Sequence, residues 1–112
     1  MDKQIVFKYF NQENLNHLDD DDMVDLLQEF FAEVNDQVLK LNDAHKQDDI
    51  DSQKYFLHRI LGTSKSYGFK FLIKETKELQ KLLDNDLNIA SQQLSLMMEQ
   101  LKDIAQDLSI EK

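Results

Sequence analysis

Residues 50–68 read IDSQKYFLHRILGTSKSYG. Successive residues of an α-helix are turned by about 100° around its axis. One set of side chains in this stretch therefore falls on a single arc: Ile50, Gln53, Leu57, Ile60, Leu61 and Ser64. Gly68 follows where a residue in the left-handed conformation commonly ends a helix. The stretch predicts an amphipathic helix over residues 50–66 that buries one face.

The same spacing of apolar side chains recurs along most of the chain, whereas the alternation typical of strands is hard to find. Two stripes show it: Leu27, Phe30, Val34, Val38 and Leu41, and then Leu87, Ala90, Leu94, Met97, Leu101, Ile104 and Leu108. Proline is absent and glycine occurs twice, so few turns interrupt the helices. We therefore predict an all-α protein, an antiparallel four-helix bundle with a short additional N-terminal helix.

Polar residues that cap helix N-termini indicate where these helices begin. We expect a short helix over residues 11–18 and four long helices over residues 19–46, 50–66, 69–84 and 87–108. The expected N-caps are Asn11, Asp48 or Asp49, and Asn85 or Asp86. Residues 1–10 are treated as a lead-in segment, and residues 11–112 as the helical bundle domain.

The composition excludes several classes of function. The chain has 112 residues, enough for one domain with a real core, and it lacks cysteine for disulfides or thiolate sites. Its net charge of −9 argues against nucleic acid or an anionic membrane as a partner. No apolar run is long enough to span a bilayer, and the first residues do not resemble a signal peptide. We expect a soluble, cytoplasmic monomer.

Two other features have ordinary explanations. The run Asp19–Asp22 suggests calcium as one alternative, but it lacks the glycine and the downstream glutamate of an EF-hand loop. Carboxylates stabilise a helix N-terminus, which is the interpretation we prefer. His17 and His45 have no metal-ligand spacing to each other or to His58, so no metal site is predicted.

Positive charge is concentrated in one part of this acidic chain. Residues 54–81 hold seven basic and two acidic side chains, a net charge of +5, which leaves −14 on the remainder. Within the predicted helix 69–84, four lysines form one stripe beside the apolar face: Lys70, Lys74, Lys77 and Lys81. Such a stripe is either an ordinary solvated face or part of a surface that contacts a partner.

His58 stands at the boundary of the buried arc of helix 50–66. Lys54, Gly62 and Lys65 lie four residues before it, four after it and seven after it, on the same face. A glycine in the middle of a helix costs roughly 1 kcal/mol relative to alanine. A boundary histidine alone is more often structural, but the adjacent glycine and the flanking lysines indicate that a ligand or partner approaches the ring.

Gln80 is a polar candidate on the following helix. Because the chain reverses at Gly68, positions 77–81 should lie level with His58, and Gln80 interrupts an apolar stripe there. A buried glutamine needs hydrogen-bond partners. The partner is either the backbone, or the His58 ring or a group attached to it.

The residues HRILGTSKSYGF at 58–69, preceded by YFL and followed by LQKLL at 79–83, resemble the signature of histidine-containing phosphotransfer (HPt) domains. That signature has a histidine, an apolar residue two positions on, a glycine four on, small residues, and a glycine ten on. The resemblance extends to the short first helix and to a bundle with the histidine on its second long helix. Dimerising histidine kinase domains fit less well, because they usually have an acidic residue where this chain has Arg59.

The resemblance implies a phosphoryl carrier and not a turnover enzyme. The Nε2 atom of His58 would exchange a phosphoryl group with aspartates of response-regulator receiver domains, and a hybrid histidine kinase is a further partner. No cofactor is expected on this chain, because magnesium and most catalytic groups would belong to the receiver. Since imidazole is largely neutral near pH 7, no dedicated general base is required.

The resemblance also implies roles for the residues around His58. Phosphoryl transfer needs mainly alignment and stabilisation of the phosphoryl oxygens. The expected pocket residues are Lys54 and Lys65, which attract the oxygens, Gly62, which leaves room for the partner, and Gln80. The expected docking patch consists of Tyr55, Arg59 and Ser66.

One position departs from the family pattern. HPt domains commonly have a lysine three residues after the histidine, where this chain has Leu61. Lys65 or Lys54 could supply the missing charge, but the departure also favours an alternative, an HPt-like docking module that binds receivers or kinases without carrying phosphate. A third class, an enzyme that uses Ser64 or Ser66 beside His58, is weak, because no Ser/His/Asp arrangement or glycine-rich phosphate loop can be identified.

Overall fold

A computed structural model describes residues 3–108, which form six helices. In chain order these are α1 (Lys3–Tyr9), α2 (Gln12–Leu15), α3 (Asp20–Lys46), α4 (Ile50–Tyr67), α5 (Lys70–Asp84) and α6 (Ser91–Asp107). Helix α4 packs against both α3 and α5, and α6 packs against α3. The predicted all-α bundle of four long helices is confirmed, with two short N-terminal helices where one was expected.

One apolar core joins the helices. The predicted stripe on α3 is buried along its whole length, and the arc on α4 is buried except for Ile50, which is 37% exposed. On α5 and α6 the buried side chains are Leu72, Thr76, Leu79 and Leu83, and Leu94, Met97, Leu101, Ile104 and Ala105. Because each long helix buries one stripe, its opposite face is left to solvent. No helix of the described part is both long and apolar enough to cross a membrane.

The N-terminal segment, expected to be a lead-in, is packed into this core within its described part. Residues 3–9 form α1, and Val6 and Phe10 are fully buried. The ring of Phe10 lies 5.3 Å from that of Phe30 and 4.8 Å from that of Phe69, measured between centroids. A helix of seven residues has too few turns for its apolar spacing to stand out in the sequence, which explains why it was not predicted.

A tight turn connects α4 to α5. Gly68 ends α4 with a φ of 70°, in the left-handed region, as predicted from the sequence. The carbonyl of Gly68 accepts a hydrogen bond of 2.8 Å from the amide of Asn11, which holds the N-terminal segment against the turn. A Cβ atom at position 68 would lie only 2.7 Å from Oδ1 of Asn14, so both the backbone conformation and the space require glycine here.

Aspartates cap two long helices. A carboxylate oxygen of Asp19 accepts a hydrogen bond of 2.8 Å from the Asp22 amide, and Asp49 accepts one of 3.1 Å from the Ser52 amide. Asp49, and not Asp48, is therefore the cap of α4. Asn11 occupies the N-cap position of α2, but its side chain makes no capping hydrogen bond. The cap at Asp19 supports the structural interpretation of the aspartate run.

Helix α6 begins later than predicted. Its first residue is Ser91 and its N-cap is Ala90, whereas Asn85 ends α5 and Asp86 has a φ of 58° in the intervening loop. Leu87 continues the apolar spacing but is 55% exposed in that loop. The expectation that α6 starts at residue 87 with a cap at Asn85 or Asp86 is wrong, because residues 87–90 form a non-helical loop that buries Ile89 in the core.

The burial of Phe10 generates a first prediction. Phe10→Ala should lower the free energy of unfolding by about 3–5 kcal/mol, because it empties a fully buried aromatic site. Phe7→Ala, which truncates a half-buried ring of the preceding helix α1, is the matched control and should cost less. Urea denaturation followed by circular dichroism measures both, and equal losses would show that Phe10 does not anchor the segment.

The two glycines generate a second prediction, because both belong to α4 and its cap but differ in their surroundings. Gly68→Ala should destabilise the fold by more than about 1 kcal/mol, since alanine is disfavoured at positive φ. Gly62→Ala should stabilise it by about 0.5–1 kcal/mol, because a Cβ atom there meets nothing within 4 Å. Thermal unfolding of the two variants checks the signs, and a destabilised Gly62→Ala variant would mean that the fold itself requires this glycine.

Candidate functional site

The packing of α4 presents His58 to solvent. Leu57, Ile60 and Leu61 turn toward the core, and His58 lies on the other side of the helix with an exposed side chain. Within residues 3–108, neither ring nitrogen of His58 has a hydrogen-bond partner. The sequence placed His58 at the boundary of the buried arc, and the structure places it outside that boundary. Both ring nitrogens are therefore available to a group that approaches from solvent.

The two other histidines differ from His58. His45 is half-buried, with Nδ1 3.4 Å from Oε1 of Gln53 and Nε2 3.0 Å from Oγ of Ser91, so both of its nitrogens are engaged. His17 is exposed in the turn after α2. His17 has no glycine or lysine at helical spacing, whereas His58 has both. Of these histidines, His58 is therefore the one whose neighbours leave room for a partner to approach the ring.

Open backbone lies next to His58. Gly62, one helical turn further along α4, is exposed, and a Cβ atom built there meets nothing within 4 Å. The hydroxyl of Ser66 donates a hydrogen bond of 3.1 Å to the Gly62 carbonyl, within the same helix. The fold does not need glycine at position 62. The missing side chain instead leaves a flat surface beside the imidazole.

Two unpaired cations share this face. Lys54 and Lys65 are exposed, and no carboxylate of the described residues lies within 4.0 Å of either ammonium group. Leu61, at the position where the family commonly has lysine, is only 9% exposed and belongs to the inner arc. The positive charge near His58 therefore comes from Lys54 and Lys65, at helix positions one and two turns away.

Tyr55 and Arg59 form a second exposed pair on α4. The Arg59 guanidinium donates a hydrogen bond of 3.1 Å to the Tyr55 hydroxyl and lies 5.8 Å from the centre of its ring. This hydrogen bond raises the pKa of Arg59 above its ordinary value, and the carboxylates of Glu33 and Asp36 on α3 add to the rise. The structure thus brings together two of the three predicted docking residues. Ser66 is exposed but makes no hydrogen bond with either of them.

Gln80 differs from the expectation. Its side chain is half-buried and not buried, and within the described residues it has no hydrogen bond to His58 or to any other group. A half-buried amide remains accessible to water, which satisfies its polar atoms. A role for Gln80 beside His58 stays a prediction.

Sequence reasoning missed a polar contact that fixes the rotation of α4 against α3. The Gln37 amide donates a hydrogen bond of 3.1 Å to the Thr63 hydroxyl, next to Gly62. Gln37 is 4% exposed, and its Oε1 atom is buried without a partner, as is Oγ of Ser64. A signal was present, because Gln37 lies three residues after Val34 and four before Leu41, which is the spacing of the buried face of α3. Such a specific contact resists rotation of α4, and so it helps to keep His58 on the outside.

Comparison with known proteins shows which family the chain belongs to. A scan against protein-family models matches the Hpt domain over residues 25–109, a range that includes most of α3 and all of α4, α5 and α6. A search of curated proteins gave no match, and a search of solved structures gave none either. The match spans most of the chain and contains His58 with all of its neighbours on α4. The chain is therefore a member of the Hpt domain family.

Proposed function

We propose that this chain carries a phosphoryl group on His58 and exchanges it with aspartates of response-regulator receiver domains. Hpt domains are phosphocarrier modules of two-component signalling, and they interact with receiver domains and with kinases in phosphorelays. The observation that carries the proposal is the exposed, unpartnered imidazole of His58 beside the open backbone of Gly62. A phosphoaccepting histidine must reach a partner's active site, and this geometry permits that approach.

The chemistry needs little from this chain beyond placement. The lone pair of Nε2 forms the N–P bond while the P–O bond to the receiver's aspartate breaks, and the electron pair leaves on that carboxylate. The Nδ1 atom carries the ring proton and stays open to water, which can accept it. Alignment and electrostatic stabilisation of the phosphoryl oxygens supply most of the catalysis in such transfers. The receiver holds the magnesium ion and the other groups that provide this stabilisation, and this chain needs no cofactor of its own.

The neighbours of His58 have separate roles in this proposal. Lys54 and Lys65 attract the phosphoryl oxygens from the two ends of the His58 face, in place of the lysine that Leu61 replaces. Gly62 gives the partner room to approach the ring. Gln80 completes the pocket from α5, where its half-buried amide can donate to a phosphoryl oxygen.

The docking patch of the proposal lies on the same helix. Tyr55 and Arg59 present an aromatic ring and a guanidinium that already contact each other, so little conformational freedom is lost when a partner covers them. Ser66, two turns beyond His58, marks the other end of the patch.

A second candidate function is a docking module that binds receivers or kinases without carrying phosphate. Leu61 favours it. HPt domains commonly have a lysine three residues after the histidine, and this chain has a buried leucine there. The two functions differ in one observable, the appearance of phosphohistidine, and the following prediction separates them.

His58→Gln should abolish uptake of phosphate from a phosphorylated receiver domain, while the helical circular dichroism spectrum stays unchanged. The side chain is exposed and unpartnered, so its replacement costs the fold little. His17→Gln is the matched control, because it replaces another exposed histidine, and it should take up phosphate like the wild type. The measurement is incorporation of an acid-labile, base-stable label.

Either of two results would contradict the carrier proposal. Label retained by His58→Gln would exclude this histidine as the acceptor. An unlabelled wild-type protein that nevertheless binds the receiver would support the docking module.

Gly62→Gln should slow phosphoryl transfer at least ten-fold, because a long side chain then covers the open backbone beside the ring. Gly62→Ala is the control, since it fills far less of this space and should transfer at a rate closer to that of the wild type. Rapid-quench kinetics with a phosphorylated receiver measures the rates, and circular dichroism checks the helix content. If the glutamine variant transfers normally, Gly62 has no role in partner approach.

A further inference from the structure

The lysine stripe on α5 has no part in the chemistry described above. Lys74, Lys77 and Lys81 are exposed, and among residues 3–108 no carboxylate lies within 4.0 Å of their ammonium groups. Lys70, the fourth member of the stripe, is different, because its ammonium group donates a hydrogen bond of 3.4 Å to the Phe7 carbonyl of α1. Three lysines are thus free to meet a partner.

These lysines lie beside the His58 face. Helices α4 and α5 pack against each other and bury their inner stripes in one core, so their outer faces form a continuous surface. A helix rises about 1.5 Å per residue, which places His58 about 15 Å along α4 from the turn at Gly68 and Lys77 about 13.5 Å along α5 from the same turn. Lys77 is therefore nearly level with His58, with Lys74 and Lys81 one turn to either side.

The acidic residues of α5 lie on a different side of the helix. Glu75 and Glu78, which are the only carboxylates among residues 54–81, line a groove together with Gln93 and Leu96 of α6. They face α6, whereas the lysines face outward. This segregation leaves the surface formed by residues 54–81 predominantly positive, with Asp51 of α4 and Asp84 of α5 as exposed acidic residues beyond it, on a chain whose remaining residues carry a charge of −14.

We propose that Lys74, Lys77 and Lys81 are docking determinants that select a receiver domain with a net-negative docking surface and orient it on His58. The inference rests on the proposed function and specifies in addition that the docking surface of the partner carries a net negative charge. Lys54 and Lys65 flank the phosphoryl group, whereas the α5 lysines act earlier, when the two proteins meet.

The physical basis is the difference in charge between residues 54–81, which carry +5, and the rest of the chain, which carries −14. An acidic partner is repelled by most of this chain and attracted by the α4–α5 surface, which favours the productive orientation. Charges interact over a Debye length of about 10 Å at 0.1 M ionic strength, so the stripe acts only on a partner that is already close to this surface. Interactions of this kind change the association rate more than the chemical step.

The test compares two pairs of substitutions that remove the same charge. Lys77→Gln with Lys81→Gln neutralises part of the stripe, and the control pair Lys46→Gln with Lys102→Gln neutralises exposed lysines of α3 and α6. Both pairs are made in the His58→Gln background, and stopped-flow fluorescence follows association with a purified receiver domain of net-negative charge. At about 0.1 M salt we expect the stripe pair to associate about five-fold more slowly than the control pair. At about 1 M salt, where the Debye length is about 3 Å, the two pairs should associate equally fast.

Equal rates at low salt, or a difference that persists at high salt, would overturn the docking inference. Because the binding assay uses His58→Gln, it does not depend on phosphoryl transfer. A wild-type chain that accepts phosphate while both pairs bind alike would leave the carrier function standing and remove the role of the stripe. The expected charge dependence in a chain that takes up no phosphate would support the stripe and contradict the carrier function.

Discussion

The packing of α4 between α3 and α5 is the constraint on which the site depends. Leu57 and Ile60 are fully buried, and the Gln37–Thr63 hydrogen bond fixes the rotation of the helix about its axis. Once Leu57 and Ile60 face the core, the periodicity of the helix places His58 on the exposed side. The same rotation places Gly62 beside His58 on the exposed side. The stability of the fold and the accessibility of the histidine therefore have a common cause.

The chain uses its few special residues for different purposes. Gly68 is required by the fold, because its backbone is left-handed and its neighbours leave no room for a side chain. Gly62 is not required by the fold, and its helix would be more stable with alanine. Likewise, His45 has both nitrogens engaged, whereas His58 has neither. Gly62 lowers the stability of the helix and lies next to the His58 ring, which has no hydrogen-bond partner among the described residues. This combination is consistent with a surface that a partner must approach.

The features that could be predicted from the sequence are those that depend on local periodicity. The buried stripes of α3 and α4, the stop at Gly68 and the start of α3 within the aspartate run all follow from spacing and capping within one helix. The packing of Phe10 could not be predicted, because its partners Phe30 and Phe69 are far away in sequence. The late start of α6 was missed because Leu87 fits the stripe, although the chain forms a loop there that exposes Leu87 and buries Ile89.

For the site, spacing identified which side chains share a face with His58, and it could not show how they are engaged. The Tyr55–Arg59 contact and the half-burial of Gln80 depend on rotamers and on neighbouring helices. The assignment of the lysine stripe to one surface with His58 also required the packing of α5 against α4. Counting charges alone could not decide whether that stripe is an ordinary solvated face or a surface that contacts a partner.

Nitrogen-15 NMR of the three histidine rings, recorded before and after addition of a phosphorylated receiver domain, tests the central claim most directly. We predict that the Nε2 signal of His58 shifts and acquires a coupling to phosphorus, while the signals of His17 and His45 stay unchanged. Phosphorus coupling at either of those two rings, or a His58 ring that remains unmodified while the receiver loses its phosphate to this chain, would contradict the claim.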